Sequence, residues 1–370
     1  MKKLELLLLL CIWAGIAHAQ VDADEKPRDF GANKLVITGH AEITGTFDST
    51  TSNFGDAGFS VIFLNKLSDK LFAESELEIA TDEGEVEVGL EHANLVWLAN
   101  KYVAFHVGRF VPHFGLYRGR LGEGFINRFP GDPAGFGDGG IGPMEQMGIG
   151  AMGGIPLGVM KMNYDVWVSN GIQLLHSSAE DVGQFEYEAY LDNNKNKAIG
   201  GRIGLLPFSN SSLELGFSYE NDAKTGDMGT PEEGVGANMM AIDGNFYHQI
   251  NQIKSTVRIS GEFKKQDVTK YTYQIDSAES YTFDNSLTAW YATISLRPSG
   301  ASGNFLRNLE IAYRYSQFNL PSDAPWGGDA ITRTVIALDY WLKWNCVAKL
   351  ALQNETGMGS QFLAQVYYGF

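Results

Sequence analysis

The chain has 370 residues, 44% of them apolar, with 28 basic against 44 acidic side chains and a net charge of −16. That balance excludes a protein that holds nucleic acid or an anionic inner leaflet by charge. Two cysteines, Cys11 and Cys346, give no disulfide framework, and a mean hydropathy of −0.15 is ordinary for a water-soluble chain.

Residues 1–19 read as an export signal. Lys2 and Lys3 form a basic start, Leu4 to Ile16 is apolar, and Ala17-His18-Ala19 is a small-x-small cleavage site. The apolar run is too short for a spanning helix. Cys11 follows Leu10, where a lipoprotein site needs a small residue, which disfavours a lipid anchor. Cleavage after Ala19 removes Lys2, Lys3 and Glu5, leaving 26 basic and 43 acidic residues, net −17. Residues 20–33 are polar, with Pro27 and Gly31, and form a periplasmic lead-in.

Beyond residue 19 no stretch approaches the ~20 apolar residues of a spanning helix. From Leu35 a period of two begins instead, with Leu35, Ile37, Gly39, Ala41 and Ile43 set against Thr38, His40, Glu42 and Thr44. Similar segments predict strands at 34–48, 57–64, 71–82, 85–98, 102–110, 146–155, 159–169, 198–206, 212–220, 237–249, 253–264, 286–296, 305–317, 330–342, 346–354 and 361–370. Breaks between them alternate between short turns and long loops, the asymmetry of a transmembrane antiparallel β-barrel. The fold expected is therefore all-β, a barrel of about 16 strands over residues 34–370. A barrel hides its membrane character in an average hydropathy because only alternate residues face lipid.

Individual strands assign the two faces. In 159–169, Met160, Met162, Tyr164, Val166 and Val168 oppose Lys161, Asn163, Asp165, Trp167 and Ser169. In 253–264, Val257, Ile259 and Phe263 oppose Lys254, Thr256, Arg258, Ser260 and Glu262; in 330–342, Ile336, Leu338, Tyr340 and Leu342 oppose Arg333, Asp339 and Trp341. An interior carrying both charge signs implies water. Phe72, Tyr102, Phe208, Phe305, Trp344, Tyr368 and Phe370 fall beside short turns, as interfacial girdles do.

The third and longest outer connection, 111–145, is rich in Gly and Pro and carries Phe114, Tyr117, Phe125, Phe129 and Phe136. Such a loop should fold inward and narrow the bore. Arg118, Arg120 and Arg128, with Arg109 just before them, make a basic cluster near Glu123, Asp132, Asp138 and Glu145. These arginines either select ions, as opposed charges in pores do, or brace the loop through bidentate bonds to the acids. The candidate pore residues are Arg109, Arg118, Arg120, Arg128, Glu123, Lys161, Arg258 and Arg333.

The final strand ends at an aromatic carboxy terminus, with Phe362, Ala364, Val366, Tyr368 and Phe370 on one face. A closing strand of this pattern resembles those of bacterial outer-membrane barrels, and implies that Val366, Tyr368 and Phe370 form an assembly signal read by the barrel assembly machinery. Gly108-Arg-Phe110-Val-Pro112-His-Phe114-Gly115-Leu116 resembles the strand-to-loop segment of the phosphate-selective porin O and P family, where Gly-x-Phe precedes Phe-Gly-Leu at this spacing. Proline sits one place earlier here. The resemblance implies a sixteen-stranded, usually trimeric pore whose third loop lines the constriction. No dense lysine and arginine ladder accompanies it beyond the cluster named.

The expected protein is thus a porin of the Gram-negative outer membrane, passing small hydrophilic solutes or ions, anions such as phosphate among them. It would sit among lipid and lipopolysaccharide as a homotrimer, without nucleic acid, cofactor or metal. The six histidines beyond the signal show no paired ligand spacing, and CxxC, Gly-x-Ser-x-Gly and phosphate-loop motifs are missing, so no enzyme is expected. The alternatives are a barrel adhesin or anchor displaying acidic loops and a secreted soluble β-sandwich. Conductance separates the first from a porin, and heat-modifiable mobility in detergent gels separates the second.

Overall fold

A computed structural model describes residues 34–50, 52–82, 85–188, 190–275 and 279–370. The expected signal segment and lead-in, residues 1–33, lie outside them. No helix among the described residues is long and apolar enough to cross a membrane.

The described residues form twenty strands in sequence: β1 Lys34–Phe47, β2 Ser52–Lys66, β3 Leu71–Asp82, β4 Glu85–Asn100, β5 Val103–Phe110, β6 Gln146–Leu157, β7 Met160–Ser169, β8 Gln173–Leu174, β9 Phe185–Glu186, β10 Ala198–Leu206, β11 Leu213–Asp222, β12 Ala237–Ile250, β13 Ser255–Val268, β14 Thr272–Gln274, β15 Ser280–Thr282, β16 Ser286–Arg297, β17 Leu309–Asn319, β18 Ile331–Lys343, β19 Cys346–Glu355 and β20 Gly359–Gly369. Sixteen of them close into one antiparallel barrel. The other four, β8 with β9 and β14 with β15, are short ladders inside outer loops, too brief to announce themselves in the sequence.

Each barrel strand coincides with one of the sixteen expected, and the ends differ by a few residues. The largest shift is at β2, which begins at Ser52 rather than 57, and at β17 Asn304–Arg307 is a helical turn rather than strand. Asn251–Ile253 is likewise a tight turn ahead of β13.

Closure joins the two ends of the sequence. β20 pairs with β1 in the register Ile43 to Val366 and Ala41 to Tyr368. Thr38 Oγ1 donates to the Phe370 carbonyl at 2.5 Å, the Phe370 amide donates to Gly39 O at 3.0 Å, and the Phe370 ring stacks on Phe59 at 5.6 Å. Gly39 is needed there, because a Cβ would stand 2.1 Å from Ser60 O and 2.8 Å from the Phe370 ring.

The facing assignments hold. Val166, Ile259, Ile336, Val366 and Tyr368 are exposed on the outside, while Asp165, Glu262, Asp339, Gln365 and Tyr367 are buried on the inside. Outward apolar side chains with water-filled or polar insides are the lipid-facing arrangement of a transmembrane barrel. Tyr102, Phe208, Phe305, Trp344, Tyr368 and Phe370 are exposed beside the short turns. Phe72 departs from that girdle: it pairs with Lys66 and Val96, on the face of Glu74, and points inward.

Candidate functional site: the constriction

Residues 111–145 connect β5 to β6, and they turn into the barrel. A buried carboxylate starts the fold of this loop. Glu262 of β13 accepts the Leu116 and Tyr117 amides on one oxygen, each at 2.8 Å, and Ser218 accepts the Gly115 amide at 3.0 Å. Gly115 explains the glycine of the Phe-Gly-Leu segment. It has φ +72°, and a Cβ would lie 1.8 Å from Glu262 Oε1.

From there the loop runs along the inner wall of β13 to β20. The rings of Tyr117 and Phe136 meet Tyr291 edge-on at 5.4 and 4.9 Å. Asn127 donates to Gly131 O, Arg314 and Arg333 donate to Asp132 O, and Lys349 donates to Phe129 O. Phe125 rests on Tyr367 at 5.9 Å. The loop thereby fills one side of the lumen. Arg314 and Asp339 keep side-chain atoms without a hydrogen-bond partner among the described residues, while other buried charges of the barrel interior are paired. Arg202, for example, bonds Asp243 at 2.7 Å and Glu214 at 3.2 Å.

The expected pore arginines are mostly tied into this packing. Arg109 is 2% exposed; it donates to Leu90 O and Glu188 O and lies under the Tyr190 ring. Arg128 bonds Glu310 at 3.3 Å, donates to Ile126 O and covers Trp341. Arg333 bonds Glu355 and the Asp132 carbonyl. Arg120 NH1 spans both oxygens of Glu214, at 2.7 and 2.8 Å. Arg118 stands among four carboxylates: Glu145 at 2.8 Å, Asp138 at 3.5 Å, Glu188 at 3.8 Å and Glu91 at 4.0 Å. Burial disfavours its charge, but Glu145 outweighs that and raises its pKa. Lys161 and Arg258 are exposed near the short-turn end of the barrel, Lys161 on Ser211 and Arg258 over the Tyr247 ring, where it still feels the charges of Arg128 and Glu310. Glu123 is an exposed acid of the loop, accepting the Tyr367 hydroxyl at 3.2 Å with His40 at 3.7 Å.

The open side of the lumen is walled by β1 to β4, and its charges are acidic. Glu74, Glu76 and Glu78 alternate along β3 and share the inner face with His92 and Asn94 of β4. Glu85 and Glu87 continue that face, because Val86 and Val88 between them point outward at 60% and 62% exposure. Glu42 of β1 faces the same space and feels the charge of Lys349 and then those of Glu78, Asp132 and Glu123. Glu91 stands at the β3–β4 irregularity, within reach of Glu78, Glu145 and Glu188. Alternate residues of a strand lie about 7 Å apart. Two carboxylates at that spacing repel by ~0.6 kcal/mol in bulk water and by ~2 kcal/mol where the effective dielectric is near 20.

These glutamates were not among the expected site residues. Their signal was present in Glu74-Ser-Glu76-Leu-Glu78 and Glu85-Val-Glu87, where charge at every second position of a spanning strand can only face water. Among the described residues no group of three metal-ligating side chains converges.

The chain shares its fold with solved bacterial outer-membrane proteins. OmpF of Salmonella typhi, in complex with daunomycin, is 13% identical over 92% of this chain and 98% of its own, with a TM-score of 0.58. OmpT of Vibrio cholerae in its trimer form is 11% identical over 92% and 100%, TM-score 0.51. An anion-selective porin from Comamonas acidovorans is 12% identical over 91% and 100%, TM-score 0.51. No family model and no curated protein matches the sequence.

Proposed function

We propose that the protein is a passive diffusion channel of the Gram-negative outer membrane for small hydrophilic solutes, with a preference for cations. A sixteen-strand barrel is wide enough to hold an aqueous path beside the inward loop. The observation that carries the cation preference is the open lumen face of Glu42, Glu74, Glu76, Glu78 and Glu91, met across the gap by Glu123. Low-dielectric walls focus the field of such groups on the path between them.

The resemblance to phosphate-selective porins would call for unpaired bases along that path. The arginines of the loop are instead each bonded to a carboxylate, so we place phosphate behind cations as a transported species. The trimer form of the Vibrio cholerae neighbour supports a homotrimer here, and the closing strand with Phe370 supports insertion by the barrel assembly machinery. Contacts with lipid and lipopolysaccharide follow from the outer apolar belt.

Single-channel recording on the refolded chain tests the reading. Discrete conductance steps that scale with salt are expected. A barrel that inserts and resists unheated SDS but passes no current would make it an anchor that displays its acidic loops.

A further inference from the structure

Beside the acidic wall, between the inward loop and the strands β6, β7 and β10, lies a recess of about 320 Å³ lined by His113, Arg120, Met152, Asn163, Asp165 and Arg202. That volume is at the small end for ligand sites. We infer that this recess is a binding subsite for a small organic carboxylate with an apolar stem.

The acids of the recess are already bonded, and so is Arg202, through Nε and both terminal nitrogens, whereas Arg120 keeps a free edge. Asp165, 4% exposed, lies 2.6 Å from His113 Nδ1 and 3.4 Å from His106 Nε2. Glu214 accepts from Arg120, Arg202 and Asn163. An incoming ammonium group therefore finds no unoccupied carboxylate.

Arg120 differs. Its side chain is 42% exposed, NH1 is held by Glu214, and Nε and NH2 have no partner among the described residues. A guanidinium edge fixed in this way presents two parallel donors, the fork that fits a carboxylate. His113 is 40% exposed and donates Nδ1–H to Asp165, so its Nε2 edge can donate to a carboxylate only in the protonated, imidazolium form. Both side chains line the same recess, and Gly119, next to Arg120, lies against the His113 ring, where a Cβ would stand 3.5 Å from it.

Met152 and Gly153 supply an apolar surface beside these donors. A bare inorganic anion would leave it uncovered, and an alkyl stem would cover it. The subsite concerns what lingers in the lumen, and it rests on the channel reading only for its physiological meaning.

Calorimetric titration of the full chain, folded in detergent, tests binding without relying on conductance. The probes are 4-methylpentanoate, its amide 4-methylpentanamide, acetate and inorganic phosphate. We expect one 4-methylpentanoate per chain and no heat from the amide. Arg120→Gln and His113→Gln should each weaken binding by about tenfold or more, the scale of a lost charged hydrogen bond. Met152→Ser should weaken 4-methylpentanoate but leave acetate unchanged. The proposal is overturned if the amide binds equally, if phosphate binds as tightly as 4-methylpentanoate, or if both recess variants, shown folded by heat-modifiable mobility, bind like the parent. A chain that binds nothing yet conducts loses only the subsite. One that binds yet does not conduct loses only the channel.

Discussion

Glu262 holds Tyr117 in place across 145 residues of sequence: its Oε2 accepts the Tyr117 amide at 2.8 Å, inside the barrel and out of reach of water. The same oxygen takes the Leu116 amide. Glu262→Ala would leave two buried donors unpaired, at ~1–3 kcal/mol each. The inward loop should loosen, so the open-channel current should become larger and noisier while the barrel still assembles. Bilayer recording beside thermal melting of the detergent-folded protein checks this. A quiet, unchanged current would mean the loop is positioned by other contacts.

At the seam, deleting Phe370 removes a ring stacked on Phe59 and three hydrogen bonds to β1. Less folded barrel should reach the outer membrane. Gly39→Val should fail in a similar way, since no side chain fits above Ser60 O. Quantitative immunoblots of unheated membrane samples report the outcome, and parental levels in both variants would remove the seam from the assembly account.

The wall makes a cleaner comparison than the sequence suggested. Val166, 51% exposed on the outside, should tolerate Arg poorly, at up to ~2–4 kcal/mol near the bilayer midplane. Asn163 faces inward as expected but is bonded to Glu214 and Arg202, so it is not a neutral lumen control. Glu74, whose side chain is 40% exposed to the lumen, serves better. Chemical denaturation should show Val166→Arg destabilised and Glu74→Arg close to the parent.

Arg128 and Glu310 are 12% and 2% exposed, an ion pair under the loop rather than a charge in the path. Arg128→Ala should therefore cost stability, ~3 kcal/mol for an uncompensated buried carboxylate, and barely move ion selectivity. A large selectivity shift with an unchanged melting temperature would put Arg128 in the ion path instead.

Acid should weaken the cation preference. Burial first, then the charge of Glu145, pushes the carboxyl of Glu188 up to about 7. A carboxyl raised in this way is charged above neutral pH and protonated below it. Lowering the pH from about 8 to about 6 should neutralise Glu188 at the edge of the constriction, and Glu188→Gln should remove that part of the pH response. Reversal potentials at the two pH values, for parent and variant, measure it.

The barrel was legible because lipid imposes a rule that sequence cannot evade. Every second residue of a strand must be apolar, and Val166, Ile259 and Ile336 obeyed it. The inward loop was legible from its length and its aromatic residues, and its bounds, 111–145, are those of the structure. Which charges face the path was not. Arg118 and Arg120 read equally as a selectivity cluster or as braces on nearby acids, Glu145 among them, but Glu214, the partner of Arg120, is 94 residues away along the chain. Such pairing is set by barrel register, which local spacing does not encode. The glutamates of β3 were visible as a period of two, yet they carry meaning only once the loop is known to lie on the opposite wall.

The most direct measurement is the zero-current potential across a bilayer in a potassium chloride gradient, for the parent and for the triple variant Glu74→Gln, Glu76→Gln, Glu78→Gln. The parent should prefer potassium over chloride, more strongly at low salt, where screening is weaker. The triple variant should lose most of that preference with its conductance steps intact. A parent that prefers chloride, or a triple variant whose potential does not move, would contradict the acidic path.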